Sequence, residues 1–353
     1  MSINSVVDRI NKRFGNGTIM KMGEVKWLVL NKVSTGIFAL DVELLGGMPQ
    51  GRMIEIYGKE DSCKTSMALL IAANYQRKGY EVGWIDAEGA YDSKWCKKLG
   101  VDESKLELSQ PEYGEKIVDI IDAMVRSGEF GLVVLDSIAA TSPMVEQESS
   151  AENQQMGVSA RLINKMIRKL HSALNTRRPG GKPNMTTVIL INQLRATIGP
   201  YQNPETTPGG MGKNFGCSLR LKLKRGDYLK YGKGDKEIVL GQGVKFYVEK
   251  SKVSPVRARG SFDFYTRDFE PANSRAGKVD NISTVIKYGI IFDMIEQAGG
   301  WFKINGKRIQ GEDSLKLYLV SRPKLLKKIR KQIMKQLKQE KKTSLKDKLK
   351  KLD

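Results

Sequence analysis

The stretch IEIYGKEDSCKTSMALLIAANYQ, Ile54 to Gln76, carries Gly58, Lys64 and Thr65 at the spacing of a phosphate-holding loop between a strand-like and a helix-like run. In the pattern G-x-x-x-x-G-K-[ST], backbone amides at a helix N-terminus hold phosphate oxygens, the lysine neutralises them and the hydroxyl ligates magnesium. Lys59, Glu60, Asp61, Ser62, Cys63 and Ser66 complete the candidate nucleotide-binding set. Cys63 departs from the pattern, because it stands where the second glycine belongs. A non-glycine residue held left-handed costs about 1–2 kcal/mol, a penalty that folding or nucleotide binding could absorb. Glu60 and Asp61 also bring negative charge to a loop meant for phosphate. Read alone, the stretch favours the phosphate loop somewhat over a strand, turn and helix in which Lys-Thr falls by chance.

Two further runs offer acids. LVVLDS ends an apolar strand with Asp136 and Ser137, the arrangement by which a strand end presents a carboxylate to magnesium and its waters. In GWIDAEGAYD, Glu88 follows an apolar run and could orient or deprotonate an attacking water. The ordinary readings are a buried strand end for Asp136 and a capping or surface acid for Glu88.

The elements that must position these groups alternate. MIEIY, the helix from Thr65 to Lys78, EVGWIDAE, the helix from Tyr113 to Arg126, GLVVLDS, the helix from Ala160 to Leu174 and TTVILINQ succeed one another. That order predicts an α/β fold with a mostly parallel sheet covered on both faces. SLRLKLKR and VKFYVEKSK read as added strands at one edge. Two long aperiodic segments, Pro143 to Ser159 and Arg195 to Asn214, interrupt the core; such loops in a compact domain are usually functional. A helical spacing at Val6, Val7, Ile10 and Phe14 predicts a small N-terminal arm, and beyond about Asp280 a helical pattern with the hairpin WFKINGKRI predicts a small C-terminal domain.

Composition narrows the partners. Lys and Arg number 60 against 39 Asp and Glu, a net charge of +21, which favours an acidic polymer or membrane surface. The excess is uneven, with 14 Lys/Arg and 3 Asp/Glu between Arg322 and Asp353. In that tail Leu326, Ile329, Ile333 and Leu337 share one helical face. Cys63, Cys96 and Cys217 form neither a disulfide framework nor a zinc spacing, and with His171 the single histidine, a Ser-His-Asp triad or a His-based zinc site is poorly supported. No run reaches the about 18 apolar residues of a membrane span, so a cytoplasmic protein with no membrane partner is expected.

Beyond those local patterns, IDAEGAYD, KKLGVD, SQPEYGE, VVLDSIAA, INQLRATIG, NPETTPGG and KSKVSP follow one another as they do in the RecA family of recombinases, and the similarity extends over residues 1 to 310. The chain resembles a divergent member of that family, with a phage origin left open. The resemblance implies a RecA-like ATPase core (31–270) between a polymerisation arm (1–30) and a small α+β C-terminal domain (271–322), followed by a basic helical tail (323–353). It implies ATP and Mg2+ as cofactors. It implies a helical homo-oligomeric filament on single-stranded DNA that pairs with homologous duplex and exchanges strands with DNA-stimulated hydrolysis, and accessory single-strand-binding and loader proteins.

By the same resemblance Lys64 and Thr65 hold phosphate and magnesium, Asp136 supports the metal through water, Glu88 activates water and Gln193 senses the γ-phosphate. Lys250 and Lys252 reach a neighbour's nucleotide in trans, although their alternation alone favours a solvated strand face. Asp92, Trp95 and Tyr265 contact adenine; packing is the plain reading of Trp95. Two DNA loops, at about 148–160 and 194–214, bring Met156, Gly157, Arg161, Asn164, Arg168, Arg195, Thr197, Ile198, Gly209, Gly210 and Lys213 to DNA. Ile198 would act as a wedge, and Phe215 and the arm GTIMKMG as subunit contacts. The basic tail departs from the acidic tails usual in bacterial members and is expected either to add DNA affinity or to pack as an amphipathic helix. Cys63 keeps a second reading open, a hydrolysis-deficient DNA-binding filament; a hexameric helicase on the same core is a third, which the arm disfavours.

Overall fold

In a computed structural model the described residues are 2–15, 17–21, 31–148, 157–178, 182–196, 205–210, 212–254, 257–272 and 274–339. In chain order the elements are α1 (Ile3–Phe14), β1 (Lys32–Val33), α2 (Phe38–Glu43), β2 (Met48–Pro49), β3 (Met53–Gly58), α3 (Lys64–Arg77), β4 (Glu81–Asp86), α4 (Ser93–Leu99), β5 (Leu106–Ser109), α5 (Gly114–Ser127) and β6 (Phe130–Asp136). They continue as α6 (Met144–Glu148), α7 (Val158–Asn175), β7 (Thr187–Gln193), β8 (Arg195–Ala196), β9 (Glu205–Thr206), α8 (Gly212–Gly216), β10 (Leu219–Tyr231), β11 (Ile238–Ser251) and β12 (Arg259–Tyr265). The last are α9 (Asn281–Ile291), β13 (Glu296–Ala298), β14 (Trp301–Ile304), β15 (Lys307–Gln310), α10 (Glu312–Val320) and α11 (Pro323–Gln339).

Eight strands form one sheet in the order β12-β11-β10-β3-β7-β6-β4-β5. Every pairing from β10 through β5 is parallel, while β11 and β12 extend the β10 edge antiparallel. Successive side chains leave a strand on opposite faces, so strands covered on both sides must be apolar throughout. Leu132 and Val134 of β6 and Ile189 and Ile191 of β7 pack with Met67, Leu69 and Ile71 of α3. Their neighbours Val133, Leu135, Val188 and Leu190 face the other way, onto Ile117 and Ile121 of α5 and Met166 and Leu170 of α7. The expected α/β fold is present, with the added strands at one edge. The aperiodic segment after Pro143 contains a short helix, α6, that the sequence pattern did not reveal.

The C-terminal part has its own core. Val285, Phe302, Leu315 and Leu319 pack there with Ile329, Ile333 and Leu337 of α11, so the apolar stripe expected in the tail faces inward as far as Gln339. Phe38 and Val42 of α2 belong to this same core. Asn281 ties them to it: its Oδ1 accepts from Phe38 N at 2.7 Å and its Nδ2 donates to Gly36 O at 2.8 Å. At the other end α1 buries no residue. The side chain of Asn11 pairs with both backbone groups of Ile19, at 3.0 and 2.9 Å, and holds the described part of the arm. The rest of the arm, from residue 22 to 30, lies outside the described residues. Among the described residues no helix is long and apolar enough to cross a membrane.

If α11 is a packed element, Ile333→Ala should cost about 2–5 kcal/mol locally and speed amide hydrogen exchange through residues 323–339, leaving protection in β3, β6 and β7 unchanged. Unaltered exchange in α11 would show that the helix is not held by this core.

Candidate nucleotide site

Parallel strands in register place their carboxyl ends along one edge, the usual location of an α/β ligand crevice. Gly58 of β3 is paired with Gln193 of β7, and Asp86 of β4 with Asp136 of β6. Gly58, Gln193, Asp86 and Asp136 therefore share an edge although the chain separates them widely.

The loop leaves fully buried β3 at Gly58, where a Cβ would lie 2.5 Å from both Leu223 O and Ser62 Oγ, so only glycine fits. Ser62 Oγ and Lys64 Nζ donate to Lys59 O at 2.7 and 2.8 Å, closing the turn. Cys63 adopts the left-handed conformation the second glycine would supply, with φ 62° and ψ 30°. Asp61 is also left-handed, at φ 56°. The amide of Gln242 on β11 donates to Asp61 O and Cys63 Sγ, each at 2.8 Å. A cavity of about 630 Å³ beside the loop is lined by Lys59, Glu60, Asp61, Gln193, Lys224 and Arg225.

Thr65, in the first turn of α3, donates from Oγ1 to Asp136 Oδ2 at 2.8 Å. Burial raises the Asp136 carboxyl to about 6, with Glu88 and Asp86 pushing the same way and Thr65 and Lys64 opposing. Burial conversely lowers the Lys64 ammonium, against the pull of Asp136, Glu88 and Glu60. A hydroxyl and a carboxylate side by side are hard oxygen donors of the kind that fit a magnesium ion. Glu88 is exposed; its Oε1 accepts from Ser137 Oγ at 2.5 Å and from Gln193 Nε2 at 3.1 Å. An acid with a free face is thus held between two strand ends, as water activation requires.

Comparison with known proteins agrees with this geometry. The model of the RecA N-terminal domain matches residues 1–268 and that of the RecA C-terminal domain residues 283–338. The chain belongs to the RecA family. A Protein RecA from a Sulfurovum species is 38% identical over 332 residues, covering 93% of this chain and 90% of that protein. Those of Sulfurimonas denitrificans and Nautilia profundicola are each 40% identical, over 89% and 91% of this chain and 87% of theirs. Similarity to RecA along nearly the whole chain makes this a RecA-type recombinase, and it does not favour the non-hydrolysing filament.

The remaining positions expected from RecA are distributed as follows. Asp92 caps α4, accepting from the amides of Lys94 and Trp95 at 2.8 and 3.2 Å. Trp95 donates to Ser66 Oγ at 3.3 Å and meets Phe264 edge-on at 6.1 Å, so the indole lies beside the start of α3. Tyr265 follows Phe264 on β12 and so leaves the opposite face; its charged surroundings are Asp280, Asp263 and Lys316. Strand alternation thus puts the Tyr265 side chain on the face opposite to the Phe264 ring that meets Trp95.

Along α7, Arg161 and Arg168 are exposed with half-buried Asn164 between them, and Gly157 precedes the helix. Gly210 and Gly212 approach Asn164 closely, a Cβ on Gly212 falling 1.8 Å from its Oδ1, so the stem of the second loop packs on the helix that follows the first. Gly209 lies against Ile163 of that helix, and exposed Arg195 donates to Ala139 O at 3.4 Å. Met156, Thr197 and Ile198 lie outside the described residues.

Lys213 is a correction. It is 1% exposed, 3.5 Å from Glu55, with Thr207 Oγ1 at 2.5 Å and Asn214 Oδ1 at 3.2 Å, so an ion pair in the interior takes the charge assigned to DNA. Glu55 also binds Arg220 Nε at 2.5 Å and Asn192 Nδ2 at 2.9 Å, completing a buried polar cluster. Lys250 donates to Asn214 O and Phe215 O at 2.5 and 3.1 Å, whereas Lys252 is exposed and Phe215 is 70% exposed. The sequence reading missed Asp86, which accepts from Ala90 N, Tyr91 N and Gln110 Nε2 and shapes the turn carrying Glu88. Its place in IDAE was a signal. Gln242 had none, since it lies 179 residues from Cys63.

Because the folded state raises the Asp136 carboxyl from 3.8 to about 6, it binds protons that the unfolded chain releases, and stability falls as pH rises through that interval. Asp136→Asn should therefore stabilise the protein, free of nucleotide and metal, by about 1–3 kcal/mol at pH 8 and by almost nothing near pH 4. Urea unfolding at the two pH values decides this, and an equal gain at both would refute it.

Proposed function

We propose that this RecA-family chain is a DNA-dependent ATPase that assembles as a filament on single-stranded DNA, pairs it with homologous duplex and exchanges strands. The observation that carries the reading is the double hydrogen bond to Glu88, which joins a water-activating acid to the strand end leading into the second DNA loop. Thr65 and, through water, Asp136 would hold a magnesium ion, which would supply charge neutralisation at the phosphates. The loop amides and Lys64 orient the triphosphate, Glu88 orients the attacking water and takes its proton, and Gln193 registers the γ-phosphate by leaving or keeping Glu88. Lys250 and Lys252 act on a neighbouring subunit's nucleotide, which requires Lys250 to exchange its α8 carbonyls for phosphate oxygens.

Arg161, Arg168 and Arg195 follow the DNA backbone, Asn164, Gly157, Gly209 and Gly210 shape that surface, and Met156, Thr197 and Ile198 extend it. The left-handed turn at Cys63 supports nucleotide binding, because the loop keeps the conformation that phosphate binding uses.

Phosphate release from ATP should rise on adding single-stranded DNA. Glu88→Gln should lower it by about 10²- to 10⁴-fold while ATP binding survives. Release indifferent to DNA, or to Glu88→Gln, refutes the assignment. Removing residues 340–353, with six Lys against three Asp/Glu, should weaken single-stranded DNA binding and flatten its dependence on log salt concentration. An unchanged slope would exclude the tail from the interface.

A further inference from the structure

Gln242 is a residue of β11, paired across the sheet with Phe264 of β12 and only 9% exposed. Its single carboxamide nitrogen reaches two atoms of the phosphate loop, Asp61 O and Cys63 Sγ. These belong to the loop's two left-handed non-glycine residues. Such residues drift back to the common backbone regions unless their surroundings over-determine them. Gln242 is that surrounding, and it comes from a strand outside the loop. The adjoining strand adds a weaker hold: Arg225 of β10 places its guanidinium 3.8 Å from Asp61 Oδ2. The hairpin register shifts between Arg225 and Tyr228, and Tyr228 is the residue paired with Gln242, so the irregularity lies beside the grip on the loop.

We infer that Gln242 is a positioning residue for the phosphate loop: by holding Asp61 O and Cys63 Sγ, it fixes the left-handed turn that a glycine at position 63 would adopt without help. The inference rests on the nucleotide-binding reading of this loop. Glycine occupies left-handed backbone freely, whereas cysteine needs a partner, and the carboxamide supplies one while also satisfying the Asp61 carbonyl. Sulfur is a weak acceptor, so the carbonyl carries the larger share. The brace depends on a donor, which makes Gln242→Glu a sharp variant: it keeps the shape and removes the N–H.

In the full-length protein, Gln242→Ala and Gln242→Glu should each speed amide hydrogen exchange at residues 59–65 without nucleotide, leaving protection in β6 and β7 at the native level. Both should raise the KM for ATP by about two- to tenfold, the worth of one neutral hydrogen bond, with kcat little changed. Adding Cys63→Gly should return most of the KM, because the glycine no longer needs holding. A KM and loop exchange that stay native in both variants would overturn the inference. So would a loss of protection spread through the sheet, which marks ordinary core packing, or a KM defect that Cys63→Gly leaves untouched. If the native chain fails to bind ATP, the proposed function falls, and the exchange at residues 59–65 alone then decides whether Gln242 braces the loop.

Discussion

Parallel pairing of β3 with β7 and of β4 with β6 sets the geometry of everything at the nucleotide edge. Both faces of these strands are buried, so a slip by one residue would carry each apolar side chain to the wrong layer. The same register that satisfies the two cores also fixes Gly58 beside Gln193 and Asp86 beside Asp136. Packing and chemistry are thus not separately adjustable here. The acids are held at the edge by hydrophobic side chains several residues away, and the burial that anchors them also raises the Asp136 carboxyl.

A second buried element explains how the sheet supports the region near the second loop. Glu55 is inaccessible within β3, a position that a lone carboxylate would not occupy without partners. Arg220, Asn192 and Lys213 provide them from β10, β7 and α8. Asn192 also donates to Pro208 O at 3.1 Å, and it immediately precedes Gln193. The stem of the second loop is therefore fastened to the strand that bears Gln193.

Much of this was legible in the sequence. Strand and helix periods located β3, α3, β4, α5, β6, α7 and β7, because residues buried on both faces leave apolar runs that solvent-facing positions do not. The loop spacing of Lys64 and Thr65, the strand-end acids Glu88 and Asp136 and, through the resemblance, Gln193 were separate signals, and the structure brings these residues together. Lys213 was placed at DNA by the resemblance, which does not weigh burial, while the partner that permits its burial, Glu55, looked like any strand residue. The Gln242 contact was beyond reach, since nothing in a linear pattern says which residue of an antiparallel edge strand will meet a turn between parallel ones.

Asn281 joins the beginning of the core to its end, bonding Phe38 and Gly36 across more than 240 residues. Contacts so distant in sequence close slowly, because the chain between them must be ordered first. During synthesis from the N-terminus, α2 emerges with Phe38 and Val42 lacking the core they will occupy until α9 has left the ribosome. The central sheet can assemble around its nearer contacts in that interval. The early helix then waits on the late one, which makes completion of the chain a condition for completing the fold.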